Sequence, residues 1–552
     1  MKLLLFVIDS SNSLFFLVDI MHFVFYLNFV SAQVPLVIDS EGSQLCKSQM
    51  RGLRSQRKEC TFMEKGEGSL KEKMLIDGAW TYSISEGFLP VENPARRGSV
   101  IAEVPRGAAE DVDRAVKAAA KAFKAWKTLP PRDRGKLMLK IADVLEKEAE
   151  DLARTLSLET GNAIRTQSRG EIVSTVDLFR LYGGLSGEQK GETVPLGEQL
   201  LCYTRREPIG VVGGIIPWNA PVVLGALKIT MALTAGNTLV LKPSSEAPLA
   251  VLKMARICSE FLPKGVLNVV TGTGGECGEA IARHPLIAKL SLTGSSDVGK
   301  SIMAAAAERI IPVTLELGGK SPQIVFPDAD DDHVVQSVIN GMRFTRQGQS
   351  CTAGSRLFLH ASIFDPFLQR VITKLRALKI GDPLDEATDI GAIINRKQFD
   401  QVCAYVRDGL GQKGAKLALG GLPPTDGPLA EGYFMEPTIF THIQNEWRIA
   451  REEVFGPVLV AIPWQDEGEV IQMANDSHYG LAAFVYSHDV GRALRTAHAI
   501  ESGWVQVNQG LGIVSGTSYG GFKTSGIGRE YSLEGMLDSY TQRKTITVNL
   551  QY

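Results

Sequence analysis

The chain predicts an α/β fold of two doubly wound α/β domains with a small β element added. Three observations carry this. Strand-like and helix-like segments alternate from residue 209 to 316. Their strands are almost wholly apolar, the pattern of a parallel sheet covered by helices on both faces. A second alternating region follows, from Gln323 to Phe522.

Residues 1–73 stand apart from this pattern. Residues 1–32 are rich in Leu, Phe and Val and close in Val30-Ser31-Ala32, which resembles a secretion signal or a membrane anchor. Asp9, Asn12, Asp19 and His22 interrupt the run, and a carboxylate at membrane depth is costly. Residues 33–73 are polar and irregular, with Arg51, Arg54, Arg57 and Lys58 close together. The blander reading is a non-functional extension, with Met63 or Met74 as the working start.

From Met74 onward the elements can be justified in order. Leu75-Ile76-Asp77-Gly78 and the stretch from Ser99 to Val104 read as short strands. Residues 110–126 and 132–155 carry apolar positions at helical spacing, with Asp111 as a cap near the first start. Strands are expected at 209–216, 238–241, 267–270, 288–292 and 312–317. Helices are expected between them, at 222–235, 247–261, 276–283 and 297–308. Together they predict a doubly wound nucleotide-binding sheet. The second region shows strands at 323–326, 356–359, 458–462, 482–486 and 504–507. Leu200 to Glu207 and Thr545 to Leu550 mix apolar and polar residues, as half-exposed strands do. Such edges are commonly paired with another subunit.

Composition excludes several functions. The 552 residues carry 59 basic and 61 acidic side chains, so no electrostatic reason exists to expect nucleic acid as a partner. Hydrophobic residues make up 44%, the share of an ordinary globular protein. The seven cysteines are scattered without a CxxC pair, and the eight histidines form no HExxH spacing. Neither a disulfide framework nor a metal site is expected, and a reducing compartment is favoured. A cytoplasmic location follows, with secretion or anchoring through residues 1–32 as the alternative.

Several motifs could carry chemistry. Cys351 sits in Gln347-Gly348-Gln349-Ser350-Cys351-Thr352, among small and polar residues that admit a substrate. Glu316 lies in Leu315-Glu316-Leu317-Gly318-Gly319-Lys320, where a carboxylate could activate water. Together they suggest a thioester that water cleaves; separately they read as an inert thiol and an ordinary acid. Pro217-Trp218-Asn219-Ala220-Pro221 holds an amide between two prolines, either an oxyanion donor or a structural turn. Gly272 to Gly278 and Thr293 to Gly299 each join a strand to a helix, either as phosphate loops or as ordinary capped turns. Lys242 ends a strand and could reach ribose hydroxyls or simply be solvated. Glu453-Val454-Phe455-Gly456-Pro457 reads as a ligand clamp or a turn.

In this order the motifs resemble the aldehyde dehydrogenase superfamily from about Met74 to the end. The resemblance rests on Pro-Trp-Asn at 217–219, Lys-Pro at 242–243, Thr-Gly-Ser…Val-Gly at 293–299 and Glu-Leu-Gly-Gly-Lys at 316–320. Gly-Gln-x-Cys at 348–351, Glu-x-Phe-Gly-Pro at 453–457 and Ser-Gly-x-Gly-Arg-Glu at 525–530 complete it. It implies a Rossmann-like NAD(P)-binding domain from 74–189 and 209–318, a catalytic domain at 319–522, and oligomerisation strands at 190–208 and 538–552. It implies oxidation of an aldehyde to a carboxylic acid by a homodimer or homotetramer.

The resemblance also implies roles. Cys351 would be the nucleophile, Asn219 with the Cys351 backbone N–H the oxyanion hole, and Glu316 the general base that activates the cysteine or, above all, the hydrolytic water. Lys228 would support this region. Lys242 would hold the adenosine ribose, Trp218 and Ser295 the pyrophosphate, and Glu453 with Phe455 the nicotinamide ribose. Ile216, Pro217, Ser245, Gly275, Gly294 and Gly299 would complete the cofactor site. A helix beside Cys351 and the positive nicotinamide would help the thiol ionise.

The departures point to specificity. Many NAD-preferring members carry Glu three residues beyond the lysine, where this chain has Ser245. A serine does not repel a 2′-phosphate, so NADP is expected to be tolerated or preferred. Ala220 replaces a frequent aromatic residue, which predicts a wider channel for aromatic or branched aldehydes. Phe344-Thr345-Arg346 replaces the usual asparagine-containing lead to the cysteine. The competing functions are a CoA-acylating dehydrogenase and a non-catalytic structural protein. Glu316 argues against the first, and Cys351, Glu316 and Asn219 together against the second.

Overall fold

A computed structural model describes residues 70–551. The expectations for residues 1–69 fall outside that range. The strand Leu70–Lys71 pairs with Ala102 and Glu103, so regular structure begins inside the segment read as irregular.

Two sheets dominate. The first has eight strands in the order Gly526–Ile527, Val313–Glu316, Ile287–Thr293, Val211–Ile215, Thr238–Lys242, Leu267–Val269, Met74–Ile76 and Ala79–Thr81. Its five central strands run parallel, and both flanks are antiparallel. Strand Thr238–Lys242 is buried throughout, which is why its middle, Leu239-Val240-Leu241, is wholly apolar. The helix Pro221–Thr234 is hidden on nearly every face, with proline at its start where a missing N–H costs nothing.

The second sheet has seven strands, in the order Lys416–Leu419, Thr438–Thr441, Val458–Trp464, Arg356–His360, Pro322–Val325, Ala482–Tyr486 and Trp504–Val507. All neighbours are parallel except the first pair. A third sheet joins Thr541–Asn549, Leu200–Pro208 and Thr193–Pro195 antiparallel. Among the described residues no helix is long and apolar enough to cross a membrane.

Two local readings need correction. The helix expected over 132–155 is two, Pro131–Lys147 and Ala149–Thr160, which share Glu148 as a junction. Apolar spacing continues across the junction, so periodicity alone could not reveal the break. Ala108, not Asp111, is the cap residue of the helix Ala109–Trp126. Asp111 serves from the third helical position: its carboxylate accepts the Ala108 N–H at 3.0 Å and the Ser83 hydroxyl at 2.6 Å.

Candidate active site

In open α/β sheets ligands bind beyond the carboxyl ends of the strands, where the strand order reverses. Here the reversal lies between Val211–Ile215 and Ile287–Thr293, neighbours in space with two strands between them in sequence. Register sets Ile215 beside both Lys242 and Leu292, and Thr293 beside Glu316. Lys242, Ile215, Thr293 and Glu316 therefore close the sheet in a row. With strands ~4.8 Å apart, that row is about 14 Å long.

One end of the row carries the candidate cofactor residues. Lys242 is buried, and its Nζ donates to the Pro243 carbonyl at 2.6 Å. Burial pulls its pKa down to about 8, against the opposing pull of Cys277 and Glu246. The Ser245 hydroxyl donates to Glu246 Oε1 at 3.4 Å, while Glu246 Oε2 accepts from Asn395 at 3.0 Å. Gly275 lies in the turn Gly274–Gly278, capped by the Thr273 hydroxyl, which accepts the Glu276 N–H. Ile216 is buried and Pro217 half-buried on the loop leading to Asn219.

Gly294 follows strand Ile287–Thr293, and its N–H donates to the Glu316 carbonyl at 3.0 Å. Ser295 caps the helix Ser296–Ala307 by accepting the Val298 N–H. Gly299, in the first turn, is buried against Leu317, with no room for a side chain. Trp218 meets Phe455 edge to face, ring centres 5.3 Å apart. Glu453 Oε1 accepts the Gly319 N–H at 3.0 Å, and burial raises this carboxyl to about pKa 7.

The other end carries the candidate catalytic residues. Cys351 is half-buried in a turn ahead of strand Arg356–His360. Gly348 shapes the loop: its φ is +64°, and a side chain there would meet the Gly456 carbonyl at 2.1 Å. Asn219 reaches the same loop, its Nδ2 donating to the Gln349 carbonyl at 3.1 Å. No helix starts at Cys351 itself; the nearest regular piece before it is the three-residue 3-10 turn Phe344–Arg346. Burial therefore prevails and pushes the thiol up to about pKa 11, the Tyr519 hydrogen bond lowers it, and Glu453 and Glu316 raise it.

Glu316 is buried, and neither carboxylate oxygen has a hydrogen-bond partner among the described residues. Burial, then Glu530, holds its pKa well above the ordinary range, while Lys228 and Arg529 pull the other way. Lys228 is sealed from solvent and donates to Glu530 Oε1 at 2.6 Å. Among the described residues no cluster of three His, Cys, Asp or Glu could hold a metal.

Compared with known families, residues 80–546 match the model described as "Aldehyde dehydrogenase family". This chain belongs to the aldehyde dehydrogenase family. A curated relative, "Putative aldehyde dehydrogenase DhaS" of Bacillus subtilis (strain 168), is 40% identical over 483 residues, 87% of this chain and 96% of that protein. The crystal structure of PnpE from Pseudomonas sp. WBC-3 is 38% identical, with a TM-score of 0.85 over 88% of this chain and 98% of that one. An aldehyde dehydrogenase of Bacillus cereus, solved with NAD+, is 38% identical, with a TM-score of 0.84 over 87% and 97%.

Sequence reasoning missed how much of this aldehyde dehydrogenase's site comes from residues 519–530. Gly526 pairs with Glu316, Glu530 with Lys228, and the Tyr519 hydroxyl stands 3.6 Å from Cys351 Sγ. Tyr519 and Glu530 are tied to each other by two backbone hydrogen bonds. The sequence signal was the motif Ser-Gly-x-Gly-Arg-Glu at 525–530, which holds Gly526 and Glu530 but not Tyr519. Arg346, noted only as a departure, donates to the Asn219 carbonyl at 3.3 Å and to Gln167 at 2.9 Å, and pairs with buried Glu171 at 3.4 Å.

Proposed function

We propose that this aldehyde dehydrogenase oxidises an aldehyde to a carboxylic acid through a thioester on Cys351, using NAD or NADP. What supports this reading is that Asn219 bonds the Cys351 loop at Gln349 while the charge of Glu316 reaches the Cys351 thiol, from three separate segments. The structures of Bacillus cereus aldehyde dehydrogenase and of the Staphylococcus aureus betaine aldehyde dehydrogenase hold NAD+, which supports the cofactor class.

The residues at the other end fit a dinucleotide. The capped start of helix Ser296–Ala307 would take a phosphate, beside Ile216, Pro217, Trp218 and Gly294, with Gly299 letting the helix's first turn pack against Leu317. Buried Lys242, flanked by Ser245 and by the turn holding Gly275, would hold the adenosine ribose. Glu453 and Phe455 would hold the second ribose. When bound, the dinucleotide takes up the hydride that the substrate loses.

Cys351 Sγ, as thiolate, bonds to the carbonyl carbon, and the carbonyl oxygen becomes an alkoxide. The Asn219 amide and the Cys351 backbone N–H donate to that oxygen. Loss of the hydride restores the carbonyl as a thioester. Glu316 then takes a proton from water as the oxygen attacks, and the Cys351 thiolate leaves with the carbon–sulfur electron pair. A carboxylate with a raised pKa is a stronger base once ionised. Lys228, paired with Glu530, sets the charge around Glu316.

Cys351→Ala should abolish turnover, and survival of dehydrogenase activity would overturn the mechanism. Glu316→Gln should let an acyl-enzyme accumulate, visible by mass spectrometry. Products with and without CoA distinguish hydrolysis from acyl transfer. Residues 74–189 with 209–318 would form the cofactor domain and 319–522 the catalytic domain. The exposed edge strand Thr541–Asn549 supports a homodimer or homotetramer.

A further inference from the structure

We propose that Tyr519 is a catalytic residue that donates its hydroxyl to Cys351 Sγ and so favours the thiolate. This rests on Cys351 being the nucleophile. The oxygen–sulfur separation is 3.6 Å. Among the described residues, Tyr519 is the only side chain bonded to that sulfur.

Tyr519 is built into place. It is 3% exposed, its ring packs edge to face against Trp504 and Tyr531, and its backbone is paired with Glu530. A ring held on both sides keeps its hydroxyl aimed without further ordering cost. Charge then decides the direction of the bond. A neutral thiol can either donate to the phenol or accept from it. A thiolate can only accept. The bond therefore gains strength when Cys351 ionises, the change that burial resists. Burial and the neighbouring Cys351 and Glu316 hold the Tyr519 pKa well above its ordinary value, so the phenol keeps its proton throughout. No proton passes to sulfur; the hydroxyl only stabilises its charge.

The hydrogen bond also has a place in the cycle. When the thioester is hydrolysed, the leaving group is the same thiolate. A donor already aimed at sulfur would assist that departure as well as the first addition.

The test uses the full-length enzyme without cofactor and reads the thiol directly. The rate of Cys351 alkylation by iodoacetamide, located by peptide mass spectrometry, is followed from about pH 6 to about pH 11. Tyr519→Phe should move the midpoint to higher pH. Below the midpoint it should slow alkylation about tenfold for each unit moved. Fluorinated tyrosine incorporated in place of Tyr519, a stronger donor of nearly the same shape, should shift the profile the other way and speed alkylation at a given pH. Tyr531→Phe removes a hydroxyl from the same aromatic cluster without touching sulfur and should leave the midpoint in place.

Superimposed profiles for wild type and Tyr519→Phe would overturn the proposal. So would a fluorinated tyrosine that slows alkylation as Tyr519→Phe does, because that reports access and not acidity. If Tyr519→Phe does not fold, fluorinated tyrosine incorporated in its place makes a stronger donor and should move the midpoint down; an unmoved midpoint would again overturn it. Because alkylation needs no turnover, a failure here is separate from activity surviving in Cys351→Ala.

Discussion

Lys228 and Glu530 stand 302 residues apart in sequence and meet at 2.6 Å with both side chains sealed from solvent. Removing one partner of a buried pair leaves the other charge uncompensated, at a cost of about 3–5 kcal/mol. Lys228→Met and Glu530→Gln should each lower the unfolding midpoint in a denaturant titration. The double variant Lys228→Met with Glu530→Leu should recover much of that loss, since no lone charge remains. Single variants with wild-type midpoints would show that the pair contributes nothing.

Asn219 is held from two directions, by its amide on Gln349 and by Arg346 on its own carbonyl. Asn219→Ala should lower kcat by about 10²–10³-fold, the usual loss of one oxyanion donor, with a smaller change in KM. Steady-state kinetics on a small aldehyde would check this. A drop confined to KM would remove Asn219 from the transition state.

Arg346→Ala leaves Glu171 buried without its cation, while Glu171 still accepts the Val222 N–H at 3.0 Å. Thermal unfolding should fall in Arg346→Ala and recover in part when Glu171→Gln is added, because an amide needs no counter-ion but still accepts that bond. Arg346→Lys should not restore the wild-type state, since one ammonium cannot reproduce a fork that reaches Gln167, Asn219 and Glu171 together. No recovery in the double variant would show that the ion pair is not the cause.

The parallel strands were legible in the sequence because burial on both faces writes a continuous apolar run, as at Val211–Ile215. The motif residues stood out through their joint resemblance to the aldehyde dehydrogenases; taken singly, each read equally as an ordinary turn, thiol or acid. Lys228 with Glu530, and Cys351 with Tyr519, were not legible. Each pair joins distant segments, and spacing carries no record of which distant residues meet.

Cofactor choice turns on Ser245. A carboxylate still lies close by, since Glu246 acts on Lys242 and is itself tied to Asn395. With the acidic group drawn towards Asn395, NADP should be used within about a hundredfold (~3 kcal/mol) of NAD by kcat/KM. Ser245→Glu should widen the gap in favour of NAD. A wild-type preference for NAD beyond that ratio would assign the discrimination to Glu246.

Stability and activity should move in opposite directions with pH, and Glu316 is the reason. Its folded pKa lies well above the ordinary value, chiefly from burial, while in the unfolded chain it ionises near ~4.3. Below ~4.3 both states hold the proton, and Glu316 contributes nothing unfavourable. Above it the folded state binds more protons than the unfolded one, so stability falls as pH rises until the folded group ionises as well. Activity needs the opposite condition, because Glu316 must lose its proton to act as a base. Turnover should therefore climb with pH while the unfolding midpoint declines, until the folded carboxyl has ionised. Glu316→Gln has no proton to lose, so it should flatten the stability profile and exceed wild type above neutral pH, at the expense of thioester hydrolysis. Denaturant midpoints of the two proteins across pH would check this, and parallel profiles would remove Glu316 as the cause.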